Sequence, residues 1–299
     1  MTEPQGVTVQ LTMVRRKLSL AVRMSQRGCS AKGRAASLSE MKPAVIVLLI
    51  TLLAACDGSP VVWTDPTPMS TPPRLARLVL SDAGEAAWVT EPQAQLPPPV
   101  PGECGASMRL ARAGTDVYAV WWAVRPDSTA RVVVAVSHNG GTTWTPSVAV
   151  DTADVSARGC DRPSPSIAAT GADVHVVYAM RSAEGTGVFL AHSMDRGAMF
   201  HAPIPVSYGD RLVETAVAAD GQVVAVAYEE PSGAPDAVRL ALSRSQGHIV
   251  EVHMPASRAV DGARSPRVAI AVGRVAVAWT VRDQRGGEAT MVRVGAIEP

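Results

Sequence analysis

An eight-residue motif that occurs three times between residues 137 and 250 constrains the fold of this chain more than any other feature. The first copy, residues 137–144, reads SHNGGTTW. Weaker copies follow at residues 193–200 (SMDRGAMF) and 243–250 (SRSQGHIV). A motif that recurs at a steady spacing predicts an architecture of repeated structural units.

Alternating apolar segments recur with the same period as the motif. Each copy follows a run of alternating apolar residues that ends in an aromatic residue, and a fourth such run lies near the C-terminus. Successive aromatic residues are 57, 50 and 51 positions apart, and the glycines at the fifth motif position are 56 and 50 positions apart. These residues are Trp121, Tyr178, Tyr228, Trp279, Gly141, Gly197 and Gly247. Two independent features therefore share one repeat of about 50 residues.

One repeat unit reads as four short strands joined by tight turns. In the second unit the strands are predicted at residues 166–169, 173–178, 188–192 and 202–206, rich in Val and Ala at period two. A glycine, for which a positive φ is favourable, separates the first two strands of every unit. These glycines are Gly114, Gly171, Gly221 and Gly273. The pattern predicts an all-β β-propeller of four-stranded antiparallel blades, about four to five in number, without substantial helix in the blades.

The motif has the composition of a structural hairpin turn. Asp or Asn at its third position can accept hydrogen bonds from N–H groups of the turn, and Gly at its fifth position supplies a left-handed residue. The closing aromatic residue is expected to pack beside the next blade. We assign this structural role to Ser137, Asn139, Gly141, Trp144, Ser193, Asp195, Gly197 and Phe200.

The motif resembles the Asp box of the sialidase superfamily, SxDxGxTW, which lies on the hairpin between the third and fourth strands of a blade. The first copy matches at every position if Asn139 stands for Asp, and the third keeps only Ser243 and Gly247. The resemblance covers about residues 104–299. It implies Asp-box blade geometry rather than activity, because in that superfamily the boxes lie on the face away from the active site.

Residues 41–56 have the features of an export signal. A short positive segment precedes the apolar run AVIVLLITLLAA and Cys56, and this run is shorter than a helix that crosses a bilayer. The sequence LAAC at residues 53–56 resembles a bacterial lipobox. It implies a lipoprotein signal peptide, cleavage before Cys56, lipidation of the thiol and anchoring to a membrane of the bacterial cell envelope. The alternatives are an uncleaved anchor and a chance apolar stretch.

The segments that flank this signal are predicted to lie outside the propeller region, 104–299. We interpret residues 1–40 as a leader from a start codon assigned too far upstream, with Met41 as the first residue. Residues 57–103 are Pro-rich and predict a tether, with a possible hairpin at 74–90. This hairpin is either a degenerate blade or the strand that closes the ring, which is needed because the last blade shows only three strands.

The cysteine positions agree with export. Once Cys56 is assigned to the lipid and one cysteine to the leader, Cys104 and Cys160 remain as a pair. They lie 10 and 11 residues before the turn glycines of adjacent blades, which are equivalent positions. We predict a disulfide between them in an oxidising compartment, the alternative being two free thiols.

The charge balance argues against several classes of protein. Lys and Arg number 28 and Asp and Glu 27, which gives a formal net charge of +1 without a basic run, so nucleic acid is not an expected partner. The sequence shows no zinc-ligand spacing, Gly-rich phosphate loop or GxSxG elbow. We therefore predict no cofactor and no metal site.

Three arginines occupy corresponding positions in the connections that lead into successive blades. Arg162, Arg211 and Arg264 lie nine, ten and nine residues before the turn glycines of their units, on the face opposite the motif. Rotational repetition would direct them to one central opening, and arginine binds carboxylates in bidentate fashion. We predict a ligand-binding site for an anion here. The alternative is surface pairing with acidic neighbours, which are Asp161, Asp210 and Asp261.

The resemblance to sialidases also implies candidate catalytic residues. Members of that family hold the sialic acid carboxylate with three arginines and use a Tyr nucleophile paired with a Glu, together with an Asp acid. By this resemblance the candidates are Tyr208, Glu214 and Asp161. The family's Arg-Ile-Pro is absent, the nearest matches being Arg74 and Arg109, each followed by Leu without a proline. An enzyme should bring the candidates and the arginines into one pocket.

Binding is the predicted function. We expect an exported, lipid-anchored, sialidase-like β-propeller that acts as a binding module for a glycan, another anionic ligand or a partner protein in the bacterial envelope. The alternatives are an exo-sialidase-type glycoside hydrolase and a structural adaptor of the envelope. The sequence leaves the oligomeric state open.

Overall fold

The chain forms two compact units, Met1–Ser59 and Pro60–Pro299. The computed structural model describes residues 8–14, 17–23, 59–73, 76–90, 96–97, 102–233, 236–258, 262–282 and 286–298. In the first unit, β1 (Thr8–Val14) and β2 (Lys17–Arg23) pair as an antiparallel hairpin.

The predicted export signal, residues 41–56 with the lipid-bearing Cys56, lies outside the described residues, as does Asp261. Within the described ranges, no helix is long and apolar enough to cross a membrane. The signal peptide and the lipidation therefore stay predictions.

Antiparallel sheets make up the second unit. Its strands are β3 (Val61–Trp63), β4 (Thr67–Met69), β5 (Ala76–Leu80), β6 (Ala86–Thr90), β7 (Arg109–Ala113), β8 (Asp116–Val124), β9 (Ala130–Ser137), β10 (Val148–Asp151), β11 (Ser166–Thr170), β12 (Asp173–Ser182), β13 (Gly185–Ser193), β14 (Ile204–Gly209), β15 (Thr215–Asp220), β16 (Val223–Glu229), β17 (Val238–Ser243), β18 (Val252–Pro255), β19 (Arg264–Ala271), β20 (Arg274–Arg282) and β21 (Glu288–Ile297). The first sheet contains β7–β10, the second β11–β14, the third β15–β18 and the fourth β19–β21 with β3. In the described part of the chain, the one helix of this unit is a 3-10 turn at Gly105–Ser107. The prediction of an all-β chain of four-stranded antiparallel sheets is confirmed, and the arrangement is β-propeller-like.

The middle strands are buried on both faces because neighbouring sheets pack on each other. In β12 all seven residues from Val174 to Met180 are buried. Separate apolar clusters join the first sheet to the second, the second to the third and the third to the fourth. The first strands β7, β11, β15 and β19, followed by β5, contact each other in that order. The segments that lead into different sheets are therefore neighbours on one side of the molecule, which we call the loop face.

The fourth sheet takes its last strand from the beginning of the second unit. β3 pairs with β21 at Gly295–Ile297, and β4 pairs with the same strand at Thr290–Val292. Val61 of β3 is buried in the cluster shared by the third and fourth sheets. Part of the segment that the Pro-rich composition predicts as a tether is thus a paired strand, because β21 otherwise leaves an open edge.

The hairpin within residues 74–90 has a different role from the closing strand. Its strands β5 and β6 pair only with each other among the described strands. Leu78 and Leu80 pack against Ala269 and Ala276 of the fourth sheet. The hairpin therefore lies beside the fourth sheet, in the position where a further blade would follow, and β3 completes the sheet itself.

Cys104 and Cys160 form the predicted disulfide, with their Cα atoms 5.5 Å apart. Cys104 lies just before the first sheet and Cys160 lies in the connection from β10 to β11. The bond joins the loops that lead into two adjacent sheets, as the equivalent positions in the repeat predict. This prediction is confirmed.

Candidate functional site

The three motif copies form hairpin turns with one hydrogen-bond pattern. In the second copy the buried Ser193 hydroxyl donates to Asp195 over 2.7 Å and accepts from the Gly197 N–H over 2.9 Å. Asp195 also accepts from the Met199 N–H over 3.0 Å, and the bond from Ser193 is the main cause of its lowered carboxyl pKa. The corresponding residues are Ser137, Asn139, Gly141 and Thr143 in the first copy and Ser243, Ser245, Gly247 and Ile249 in the third. The bonds give these residues a structural role.

Glycine at the fifth motif position lies against the preceding sheet. Gly197 has a φ of +78°, and a β-carbon there would come within 3.2 Å of Val136 and 3.6 Å of the Tyr118 ring. Gly247 has a φ of +85°, and its β-carbon would come within 3.3 Å of His175. The left-handed backbone and the close approach both require glycine.

The closing aromatic residues of the motif pack in two ways. Phe200 packs against the apolar cluster shared by the first and second sheets. Trp144 packs instead with Met108, Leu110 and Trp121, which all lie in or next to the first sheet. Phe200 therefore packs toward the preceding sheet rather than beside the next one as predicted, and Trp144 packs within its own sheet.

Replacing Ser193 with alanine is expected to lower the free energy of unfolding by about 1–3 kcal/mol, because buried groups of the turn lose their partner. Urea denaturation followed by tryptophan fluorescence measures the change. Ser232 is the matched control, because its exposed hydroxyl bonds only the Glu230 carboxylate, over 2.7 Å, and its replacement should have little effect. Equal losses in the two variants would contradict the role of the turn.

Arg162, the first predicted ligand-binding arginine, is part of the interior. It pairs with Asp154 over 3.0 Å, and neither side chain is exposed. Its other donors bond the carbonyls of Gly159 over 2.8 Å and Ser156 over 3.2 Å, and its guanidinium lies 4.9 Å from the centre of the Trp122 ring. Arg162 is not placed to bind a ligand, because its contacts are internal and water does not reach it.

The other predicted arginines differ from Arg162 in their contacts. Arg211 pairs with Asp236 over 3.3 Å, and Arg264 begins β19 at a partly exposed position. Asp161 pairs with Arg158 over 2.9 Å. The alternative prediction of pairing with the adjacent acidic residues does not hold for two of the arginines. Arg162 pairs with Asp154 rather than Asp161, and Arg211 pairs with Asp236 rather than Asp210.

The candidate catalytic residues lie apart. Tyr208 is on β14, the last strand of the second sheet, where its hydroxyl donates to Glu184 over 3.3 Å. Glu214 directly precedes β15, the first strand of the third sheet. The Asp161 side chain is 88% exposed and pairs with Arg158. The contacts of Tyr208 with Glu184 and of Asp161 with Arg158 do not join the trio implied by the sialidase resemblance.

A different set of charged residues on the loop face interacts electrostatically. Arg109 begins β7, Arg267 lies in β19 and Glu214 precedes β15, so they come from three sheets. The pKa of Arg109 is lowered, first by burial and then by the positive charge of Arg267, while Glu214 opposes this shift. Charges in a protein influence each other appreciably only as neighbours. We name these three residues, with Glu229, the loop-face cluster.

Glu229 anchors the loop-face cluster by accepting hydrogen bonds from backbone N–H groups. Its carboxylate accepts from the Ser265 N–H over 2.9 Å and from the Glu214 N–H over 3.4 Å, which links the starts of β15 and β19. Burial raises the pKa of Glu229, the nearby Glu214 raises it further, and Arg211 lowers it. Arg211 therefore adjoins the cluster, whereas Arg162 does not take part in it.

A signal for this cluster is present in the sequence. Arg109 and Arg267 lie five and six residues before the turn glycines Gly114 and Gly273, which places them inside first strands. The arginines predicted from the repeat spacing lie nine or ten residues before their turn glycines, in the connections between sheets. First strands pack side by side and bring their residues together, whereas the connecting loops differ in conformation from one repeat to the next.

The loop-face cluster offers donors and acceptors of hydrogen bonds. Arg109 is exposed, although neighbouring groups partly desolvate its guanidinium. One of its nitrogens is anchored by the carbonyls of Ala106 and Met108 over 3.3 and 2.8 Å; a guanidinium has further N–H donors. None of the four tyrosines bonds Glu214 or Glu229. Among the described residues, no group of three His, Cys, Asp or Glu could hold a metal ion.

No protein-family model and no curated protein sequence matches the chain. Solved structures with a similar fold include a Hadza microbial sialidase, at 17% identity and a TM-score of 0.46 over 62% of this chain and 43% of that one. A Trypanosoma rangeli sialidase in complex with 2,3-difluorosialic acid is similar at 12% identity and a TM-score of 0.44, over 73% of this chain and 39% of that one. A Dyadobacter fermentans protein of unknown function has 12% identity and a TM-score of 0.42, over 80% of this chain and 99% of that one. The chain thus spans about two fifths of the length of the two sialidases, and function is argued from the site.

Proposed function

We propose that this chain is an exported, lipid-anchored, sialidase-like β-propeller that binds an anionic ligand in the bacterial envelope. The observation that carries the proposal is that the charge of Arg109 interacts with those of Arg267 and Glu214, although the three residues come from three sheets. Export and anchoring rest on the lipobox-like sequence at Cys56 and on the disulfide, which suits an oxidising compartment.

The charges of the cluster indicate the chemistry of the ligand. Two guanidiniums close to each other repel, and a carboxylate placed between them removes this repulsion and accepts several charge-assisted hydrogen bonds. Glu214 is exposed and can accept hydrogen bonds from hydroxyl groups. A glycan that carries a carboxylate beside free hydroxyls matches both features. An acidic segment of a partner protein would use the arginines alone.

A glycoside hydrolase is the second candidate, and the pair of glutamates favours it. Glu229 has a raised pKa because of burial and of the neighbouring Glu214, and glycosidases use such a pair as acid and base. Against this role, the Glu229 carboxylate is already engaged by two backbone N–H groups. We therefore place binding first.

Binding of 3′-sialyllactose, with lactose as the neutral reference, tests the proposal by calorimetry. Replacing Arg109 or Arg267 with alanine is expected to weaken binding of the sialylated sugar at least about tenfold, because a charge-assisted bond contributes about 1.5–3 kcal/mol. Arg131, exposed on β9 and outside the cluster, is the matched control and should not change the affinity when replaced with alanine.

The outcomes separate the candidates. Equal affinity of wild type and both cluster variants would contradict the loop-face site, as would equal affinity for lactose. Turnover of a fluorogenic sialoside that is lost in a Glu229→Gln variant would establish the hydrolase. Selective binding without turnover would support the binding module.

A further inference from the structure

Four histidines lie together between the second and third sheets, away from the loop-face cluster. His175 on β12 and His192 on β13 are cross-strand partners. The ring of His192 lies 4.6 Å from that of His201 and 4.3 Å from that of His248, which belongs to the third motif turn. His175 lies 6.5 Å from His192, ring centre to ring centre. The third motif turn therefore contacts the second sheet through imidazole rings.

Three ring nitrogens of the two inner histidines, His175 and His192, are buried without a polar partner. His175 is fully buried, and neither of its ring nitrogens has a hydrogen-bond partner. The Nε2 atom of His192 is also buried without a partner. A neutral imidazole tolerates such a place better than an imidazolium, which carries a charge and a second N–H donor.

No acidic side chain is among the causes that shift the pKa of the inner histidines. Burial is the main cause that lowers the pKa of each to about 4, and neighbouring imidazoles lower it further: His192 and His248 act on His175, and His248 and His201 act on His192. Among the described residues of the packed elements, the acidic ones are Asp173 of β12, Asp195 of the second motif turn and Glu251. Asp173 accepts a hydrogen bond from Gln246 of the third motif turn over 3.3 Å, and Glu251, which follows that turn, accepts one from the N–H of the turn's cation, Arg244, over 3.0 Å.

The contact between the first and second sheets provides an internal comparison. There Tyr118 and Val136 stand at the cross-strand pair that corresponds to His175 and His192, and the second motif turn rests on them through Gly197. The Tyr118 hydroxyl donates to Asp116 over 3.4 Å. Equivalent turns therefore pack on different pairs. The second motif turn packs on Tyr118 and Val136, whereas the third packs on His175 and His192.

We propose that the histidine cluster is a proton-sensitive contact, which holds the third motif turn on the second sheet at neutral pH and releases it on acidification. Protonation places positive charges side by side in a buried contact, and they repel each other as well as requiring water. The stabilising effect of the neutral rings is complete above the ordinary histidine pKa of about 6.5. It is lost as the pH falls from there through about 4. An envelope protein exposed to external acid would respond by loosening this turn.

Histidine NMR of the purified protein tests the proposal directly. The side chains of His175 and His192 are expected to titrate near pH 4, and amide protection of residues 243–249 is expected to fall at least tenfold over the same pH range. Titration of both near pH 6.5, or protection that is unchanged down to pH 4, would overturn it.

A double variant based on the contact between the first and second sheets provides a second test. His175→Tyr with His192→Val copies the Tyr118 and Val136 pair of the first sheet, and Asp173 corresponds to Asp116, which accepts the hydrogen bond of the Tyr118 hydroxyl. The variant is expected to lose most of the drop in Tm that the wild type shows between pH 7 and pH 4.5. His138→Gln, on the first motif turn, removes an imidazole outside the cluster and should keep that drop. An unchanged drop in the double variant would contradict the proposal, and the wild-type titration decides the matter if that variant does not fold.

Discussion

Replacing Arg162 with alanine is expected to lower the free energy of unfolding by about 3–5 kcal/mol. The change leaves the Asp154 carboxylate, which Arg162 contacts over 3.0 Å, buried without its partner. It also removes the bonds to Gly159 and Ser156 and the stacking on Trp122. Removing one member of a buried pair is costly because the other charge stays out of water.

Urea denaturation of Arg162→Ala beside Arg158→Ala measures this effect. Arg158 lies in the same loop and forms an ion pair with Asp161, but both side chains are largely exposed, so its replacement should change stability little. If Arg162→Ala unfolds like the wild type but binds 3′-sialyllactose more weakly, the structural role is wrong and the ligand role predicted from the sequence is right.

Deleting residues 60–69 is expected to destabilise the protein by at least about 3 kcal/mol, since it exposes apolar core that β3 covers. The deletion removes the buried Val61 and the partly buried Trp63, and it leaves β21 as an open edge. A side chain at Gly295 would collide with both residues, which shows how closely the two strands approach. A flexible tether could be shortened by ten residues without such a loss.

Two point variants separate strand packing from chain length. Val61 is 1% exposed and its neighbour Val62 is 55% exposed, because successive side chains of a strand point to opposite faces. Val61→Ala should lower the unfolding free energy by about 2 kcal/mol, and Val62→Ala should change it little. Thermal and urea unfolding of both variants test this. Equal stability of the two variants would mean that residues 60–69 act as a tether and not as a packed strand.

The loop-face cluster shows where sequence reasoning about the site succeeds and where it fails. Repetition indicates that positions equivalent in each repeat share one face, whereas Glu214 was selected through the resemblance to sialidases. It does not tell which arginines on that face remain in water. Arg162 was selected by spacing, yet Asp154, eight residues earlier in the same connection, draws it into the interior. Arg109 was set aside for lack of a proline, yet it lies beside Arg267 and Glu214.

The all-β repeat, the turns built by Ser193 and Asp195, and the disulfide of Cys104 and Cys160 could be predicted from the amino-acid sequence. These depend on period-two alternation, on side chain to main chain bonds within a few residues, and on equivalent places in adjacent repeats. The pairing of β3 with the fourth sheet, and the choice of charges that interact on the loop face, depend on tertiary contacts. Both involve residues far apart in the chain, and such partners are chosen by the burial of apolar surface and charge that the packed sheets impose.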